Sequence, residues 1–388
     1  MKQKRKVYNN VYVRAVMTIL FVAVYIIAIR RLNNIEKIEM VSTVGYSYEK
    51  AVVTEVVKDN LTETGQRVGY QQLKVKLISG KHKGEIYDAT SSEGNLFGAV
   101  CKAGDNVIVN ISVSGNTSTV SVYSKDRIRQ VCIFVGVFLL LICIIGGMNG
   151  VKSVIGLIFT VVSIVYIFLP MIYLGVSPFG AAVFVVVITT VVTMYLIGGI
   201  SVKTLACVIG TTAGVVIAGI AAWLFGMSAD IDGYNVSNIE TLVYVGQNTK
   251  IQIGGLLFAG ILIAALGAVM DVAMSVSSAI CEINDKTGNL TWLEFFKSGL
   301  HVGRDMMGTM SNTLILAFVG GSLSTLVIDY AYNLPFIQLI NSYNIGIEIM
   351  QGIAGSIGVI LTVPFVALVT SVLLVYQRNH RKENNIIE

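Results

Sequence analysis

The stretch Val131-Cys-Ile-Phe-Val-Gly-Val-Phe-Leu-Leu-Leu-Ile-Cys-Ile-Ile-Gly-Gly-Met148 contains no charged residue. A run that long and that apolar is the length of a helix spanning the hydrocarbon core of a bilayer. Similar runs follow at Val154–Leu174, Val176–Ile197, Thr204–Phe225, Gly254–Cys281, Leu300–Ile328 and Gly352–Tyr376, and one precedes it at Val13–Ile29. The sequence therefore predicts a polytopic all-α membrane bundle of about eight spans. Composition agrees: of 388 residues, 54% are apolar and only 13% are charged, against about 25% charged in an ordinary soluble domain. Soluble enzymes, nucleic-acid-binding domains and disordered chains are excluded as the main reading.

The run at Val13–Ile29 follows Lys2, Lys4, Arg5 and Lys6, and Arg30, Arg31 and Leu32 come directly after it. With no small-x-small cleavage site there, it reads as an anchor helix rather than the core of a signal peptide. Residues 35–127 then change character. Gln72–Leu77 reads Gln-Leu-Lys-Val-Lys-Leu, Asn106–Val113 reads Asn-Val-Ile-Val-Asn-Ile-Ser-Val, and Thr117–Tyr123 alternates in the same way. Ala51–Lys58 is a further candidate strand. Gly80, Gly84, Gly94, Gly104 and Gly115 punctuate the stretch, and it has no proline. Period-two alternation broken by turn residues predicts about five short strands, closed into a small barrel of the OB or SH3-like sort. The domains expected are thus 1–34 (cytoplasmic N-terminus and anchor), 35–127 (extracytoplasmic β domain), 128–377 (seven-helix membrane domain) and 378–388 (cytoplasmic tail).

Charge distribution sets the expected orientation. From Asn33 to Arg127 there are 11 basic and 11 acidic residues, so the net charge of +5 comes from the remainder, 17 basic against 12 acidic. With the N-terminus inside, the inner loops and tails hold Lys2, Lys4, Arg5, Lys6, Lys152, Lys203, Lys286, Lys297, Arg378, Arg381 and Lys382. The short outer loops after the barrel hold Lys250 alone. That asymmetry places both termini in the cytoplasm and the barrel outside. Arg30, Arg31 and Arg129 beside the barrel run weakly against it. Four of the five cysteines (Cys132, Cys143, Cys207 and Cys281) lie in apolar segments and no Cys-x-x-Cys occurs, so neither a metal finger nor a disulfide framework is expected.

Glycine supplies two further signals. Gly210/Gly214, Gly260/Ala264/Ala268 and Gly352/Gly355/Gly358 are rows of small residues of the kind that let helix backbones approach in lipid. The pairs 146–147, 198–199 and 320–321 mark possible breaks, and Pro170 and Pro364 should kink their spans. Met227–Gln252 carries Ser237–Val245, a candidate short interfacial helix, with a plain loop as the alternative.

Catalytic motifs are absent: there is no His-Glu-x-x-His, no P-loop and no nucleophile elbow. Asp271 and Asp305 lie in adjacent spans but lack the Gly-x-Gly-Asp of an intramembrane aspartyl protease. No enzyme, cofactor or metal is expected, and Met270, Met274, Met306, Met307 and Met310 read as span fillers rather than a copper site. What stands out is polar. Asp271, Ser275 and Ser278 share one helical face; Asp305, Thr309 and Asn312 share another, beside Arg304, Gly308 and Ser311. A charge deep in a span costs about 2.5–3.5 kcal/mol on insertion scales, so it normally faces the bundle interior and finds a partner. Asp271, Ser275, Arg304, Asp305, Thr309 and Asn312 are the candidate substrate or ion pathway, expected to form one cluster. An Asp–Arg pair that merely locks two helices is the alternative.

Two stretches also carry a family resemblance: Gly255-Leu-Leu-Phe-Ala-Gly-Ile-Leu-Ile-Ala-Ala-Leu-Gly-Ala-Val-Met-Asp-Val-Ala-Met-Ser275 and Lys297-Ser-Gly-Leu-His-Val-Gly-Arg-Asp-Met-Met-Gly-Thr-Met-Ser-Asn-Thr-Leu-Ile-Leu-Ala317. They resemble the YibE/F-like family of bacterial multispan membrane proteins, and the likeness runs from about Val131 to Tyr376. The resemblance implies a bacterial plasma membrane but no substrate and no catalytic role. Two functions follow as expectations. The first is a transporter or permease-like protein for a small solute or ion. The second is a non-transporting membrane partner or scaffold whose outer β domain binds another protein. Beyond lipid, the expected partners are that solute or ion and a second membrane protein, with no nucleic acid.

Overall fold

The computed structural model describes residues 2–41, 45–63, 66–92, 99–114, 117–236, 238–287 and 290–387. The chain divides into two units, Glu39–Leu141 and the rest.

In the first unit β1 (Tyr46–Lys58), β2 (Tyr70–Leu77), β3 (Ile86–Ser92), β4 (Asn106–Ser114) and β5 (Thr117–Lys125) close into a barrel of order β1-β2-β3-β5-β4. All neighbours are antiparallel except β3 with β5. That is the OB form of a five-stranded Greek-key barrel. The cause is the alternation read above: Gln71, Leu73, Val75 and Leu77 point inward from β2 and meet Ala51, Val53, Val107, Val109, Ile111, Val120 and Val122. Two register shifts bend the long β1 so that it can pair with both β2 and β4. The buried amide of Gln71 is matched on both ends, since it accepts from the Cys101 amide at 2.8 Å and donates to Asp59 at 2.9 Å. The balanced charge is spent on surface pairs, among them Lys50–Asp126 (2.9 Å) and Lys125–Asp105 (2.8 Å). The strand β3 carried no clear alternation because its residues are short and polar. The turns expected at Gly94 and Gly115 lie outside the described residues.

The second unit is helical. The helix α1 spans Lys2–Asn33 and includes the expected anchor; α2 (Ile128–Ser163) starts in the barrel unit and continues into this one. Gly147 breaks α2 at φ 54°, ψ −134°, and the chain bends back there so sharply that a Cβ on Gly150 would collide with the Ile142 carbonyl. Only glycine tolerates that backbone without strain. A π turn at Ile164–Phe168 leads into α3 (Leu169–Tyr173) just ahead of Pro170. Then follow α4 (Pro178–Gly198), α5 (Val202–Ser228), α6 (Ile239–Asn248), α7 (Leu256–Thr287), α8 (Trp292–Gly321), α9 (Leu323–Ala331), α10 (Phe336–Ile340) and α11 (Tyr343–Ile387). The candidate interfacial segment is the short helix α6. The helix α11 passes through Pro364 without interruption.

Among the described residues five helices are long and apolar enough to cross a membrane, with α8 plus α9 a sixth if that bent pair is one span. The stretch Ile128–Tyr173 counts once there, although the sequence reads as two spans separated near Gly147. The expected span Leu300–Ile328 is not one straight helix: α8 and α9 meet at 60°, immediately after Gly320-Gly321. The third glycine pair ends α4, with Gly199 at φ 64°.

The small residues of α5 and α11 fix the centre of the bundle. A Cβ on Gly210 would strike Val366, one on Gly214 would strike Thr362, and one on Gly358 would lie 2.8 Å from the Gly214 carbonyl. Backbones this close gain van der Waals contact that larger residues would prevent. Against this pair α7 buries Leu262, Ala265, Leu266, Val269, Val272, Val276 and Ile280.

Candidate functional site

The helix α7 is oriented by its packing face. The residues left over, Gly260, Ala264, Gly267 and Asp271, follow at i, i+4, i+7 and i+11 and form an exposed strip on the opposite side, with Ser275 half-buried beside it. Among the described residues, no atom of another element lies within 4 Å of a Cβ placed on Gly260 or Gly267. The expected small-residue row at Gly260 is therefore open rather than packed.

Glycine likewise sets the rotation of α8. A Cβ on Gly303 would collide with Val363 of α11, and one on Gly299 would lie 2.5 Å from Ile280 and 3.0 Å from Ala367. With Phe295, Gly299, Gly303 and Leu314 buried, the other side must turn outward. His301, Arg304, Asp305, Gly308, Thr309 and Asn312 are all exposed. The Thr309 hydroxyl donates to the Met306 carbonyl of its own helix at 2.9 Å. The helices α7 and α8 pack together as expected, with Met270, Met307 and Met310 filling against the core. Among the described residues, however, no hydrogen bond or ion pair joins Asp271, Arg304, Asp305 and Asn312. The polar residues follow the outward faces because the glycines, not the charges, decide which sides meet.

A second polar group was missed from the sequence. Where α8 breaks into α9, a pocket of about 210 Å³ opens between the starts of α7 and α11. Its polar lining is Ser322, Thr325, Asn344, Glu348 and Gln351, and its apolar wall includes Leu257 and Ile347. Asn344, Glu348 and Gln351 lie at i, i+4 and i+7, one face of α11. Among the described residues, these three side chains make no hydrogen bond or ion pair, whereas Ser322 donates to the Phe318 carbonyl at 3.2 Å. The signal was present as that spacing. It fell outside the apolar run beginning at Gly352 and so outside the expected span.

Deeper in the bundle the buried polar groups are hydroxyls. Thr370 donates to Ser277 at 3.2 Å, and the buried hydroxyls of Thr190, Thr193 and Thr211 have no hydrogen-bond partner among the described residues.

A bundle of several helices apolar enough to cross a membrane, with a five-stranded barrel after the first helix, is the architecture of a membrane protein with an inserted β domain. Residues 134–376 match the YibE/F-like protein family, and the chain belongs to it. The comparison with curated proteins found no match, and neither did the comparison with solved structures.

Proposed function

We propose that the protein is permease-like and admits a small solute or ion to the bacterial plasma membrane, with both termini cytoplasmic and the barrel outside. The observation that carries this reading is the broken helix α8–α9, which opens a pocket holding one carboxylate, Glu348, and four uncharged polar side chains. A break in an apolar helix is tolerated where it lines a cavity, and discontinuous helices are where transporters bind their cargo; this break lies toward the outer end of α8. In the proposed orientation the pocket faces outward, since α11 enters from that side. The test is flux into proteoliposomes of purified protein, following protons, sodium and potassium with entrapped dyes. Flux of one of these in the parent, lost in Glu348→Gln without a change in melting temperature, is the result expected. Absence of flux for all three, with no solute in a broad panel raising the melting temperature, would count against the reading.

A scaffold function has one observation in its favour. Tyr46, Tyr48 and Tyr123 are exposed on the barrel, and Tyr48 and Tyr123 meet edge to face at 5.3 Å. Exposed tyrosines of this kind are enriched where proteins bind one another. Co-purification of a second protein that is lost in Tyr48→Ser/Tyr123→Ser, together with no flux, would favour it.

A further inference from the structure

We propose that the outward face of α8 is the contact between two copies of this chain, related by a two-fold axis along the membrane normal. The inference does not rest on the pocket or on transport. It starts from a contrast between exposed surfaces. From Val131 to Met148, α2 exposes only apolar large side chains, among them Phe134, Ile144 and Ile145, and lipid satisfies them. The outward side of α8 presents His301, Arg304, Asp305, Gly308 and Asn312 at i, i+3, i+4, i+7 and i+11, and lipid does not. At 1.5 Å per residue Arg304 and Asp305 lie about 10 Å along the helix beyond Lys297, past the polar first turns of α8. Within the chain neither side chain has an ion-pair partner among the described residues.

The occupant is argued from charge and geometry. A two-fold axis along the normal keeps every residue at the same depth in both copies. Arg304 and Asp305 are adjacent and so differ in depth by only about 1.5 Å. Arg304 of each copy therefore meets Asp305 of the other, and both charges are neutralised twice over by one isologous contact. Among the described residues, no atom of another element lies within 4 Å of a Cβ on Gly308, so the centre of the stripe is open to a second backbone, and Asn312 supplies a donor and an acceptor for its own counterpart. Either charge alone would repel its symmetry mate; the neighbouring pair makes the stripe complementary to itself.

The test is cross-linking in native membranes. Cys132, Cys143 and Cys281 are replaced by alanine, while the buried Cys101 and Cys207 are kept. In that background Gly308→Cys should form a disulfide-linked dimer on mild oxidation, and Gly260→Cys on the open strip of α7 should not. The R304D chain carries two adjacent carboxylates and the D305R chain two guanidinium groups. Each alone should cross-link through position 308 about tenfold less or worse, the effect of like charges facing each other in a poorly solvated place. Co-expressed with distinguishable tags, R304D and D305R should cross-link to each other as well as the parent does. That rescue separates an interface from a folding defect, because both chains are altered in every mixed pair. A parent that gives no product at position 308 and is monomeric in nanodiscs overturns the proposal. So does a mixed pair no better than either variant alone, which would leave a different membrane protein, or water, as the cover of this face.

Discussion

The side-chain amide of Asn33 donates to the main-chain carbonyl of Tyr166 at 2.8 Å. That carbonyl lies four residues before Pro170, which has no N–H to offer it. The end of α1 thus supplies a donor that the proline withholds, next to the π turn that absorbs the ring. The same amide also reaches the Ile29 carbonyl at 2.9 Å, and Tyr25 bonds Ser163 at 2.8 Å two turns away.

Asn33→Ala should therefore lower stability by about 0.5–1.5 kcal/mol, the net worth of one hydrogen bond. In a Pro170→Ala background, residue 170 can donate to Tyr166 itself, and the cost of Asn33→Ala should shrink. A double-mutant cycle on melting in detergent reads the coupling. Equal costs in both backgrounds would disconnect the two residues.

Gly214→Ala should destabilise by about 1–3 kcal/mol, because the added carbon must displace Thr362 and lies 3.1 Å from the Gly358 carbonyl, which cannot move aside. Gly260→Ala has open space around it and should be neutral, or stabilising by up to about 1 kcal/mol through helix propensity. Comparing the two melting temperatures checks that α5 and α11 meet at glycine.

Residues 35–127 expressed alone should be soluble, β-rich by circular dichroism and cooperative on melting. Burial pushes the Cys101 thiol up, and the side chain is 2% exposed, so an added thiol reagent should modify it only with unfolding. A disordered spectrum would mean that the membrane helices complete its core.

Acid should weaken that barrel. Hydrogen bonds from Gln71, Arg67 and the Asn60 main-chain amide hold Asp59 below the usual carboxylate range; Lys125 does the same for Asp105, and Lys50 for Asp126. Because these values are lowered on folding, the unfolded chain takes up protons first as pH falls. The stabilisation is complete above about 3.9, the ordinary aspartate value, and is lost as pH drops below it toward the folded values. Melting of the isolated barrel at successive pH values should show a flat region near neutrality and a decline below about 4. A decline that begins near pH 6 would point to another group.

The proposed orientation predicts thiol labelling on intact cells. With Cys132, Cys143 and Cys281 replaced, Lys83→Cys in the exposed β2–β3 turn should react with an impermeant maleimide, and Lys286→Cys at the end of α7 should react only after permeabilisation. The reverse pattern would invert the topology.

Properties that add up along the chain were legible in the residues alone. Uninterrupted apolarity made membrane helices, and period-two alternation such as Leu73, Val75 and Leu77 made barrel strands. Each depends only on a residue's own solvation and the period of its local backbone. The sequence also marked the breaks at Gly147, Gly199 and Gly320-Gly321, since a helix fails first where glycine removes side-chain constraint. The rotation of each helix about its axis, by contrast, came from packing. Asp271, Arg304 and Asp305 were expected to face inward because buried charge needs partners. Yet the close approach of Gly303 to Val363 and of Gly299 to Ile280 and Ala367 turned α8 the other way, while the apolar packing face of α7 left Asp271 exposed. The pocket at Glu348 had the same fate in reverse, a polar spacing legible on α11 but meaningless until α9 folded back beside it. Which face of a helix meets its neighbour is a property of two surfaces at once, and one strand of sequence shows only one of them.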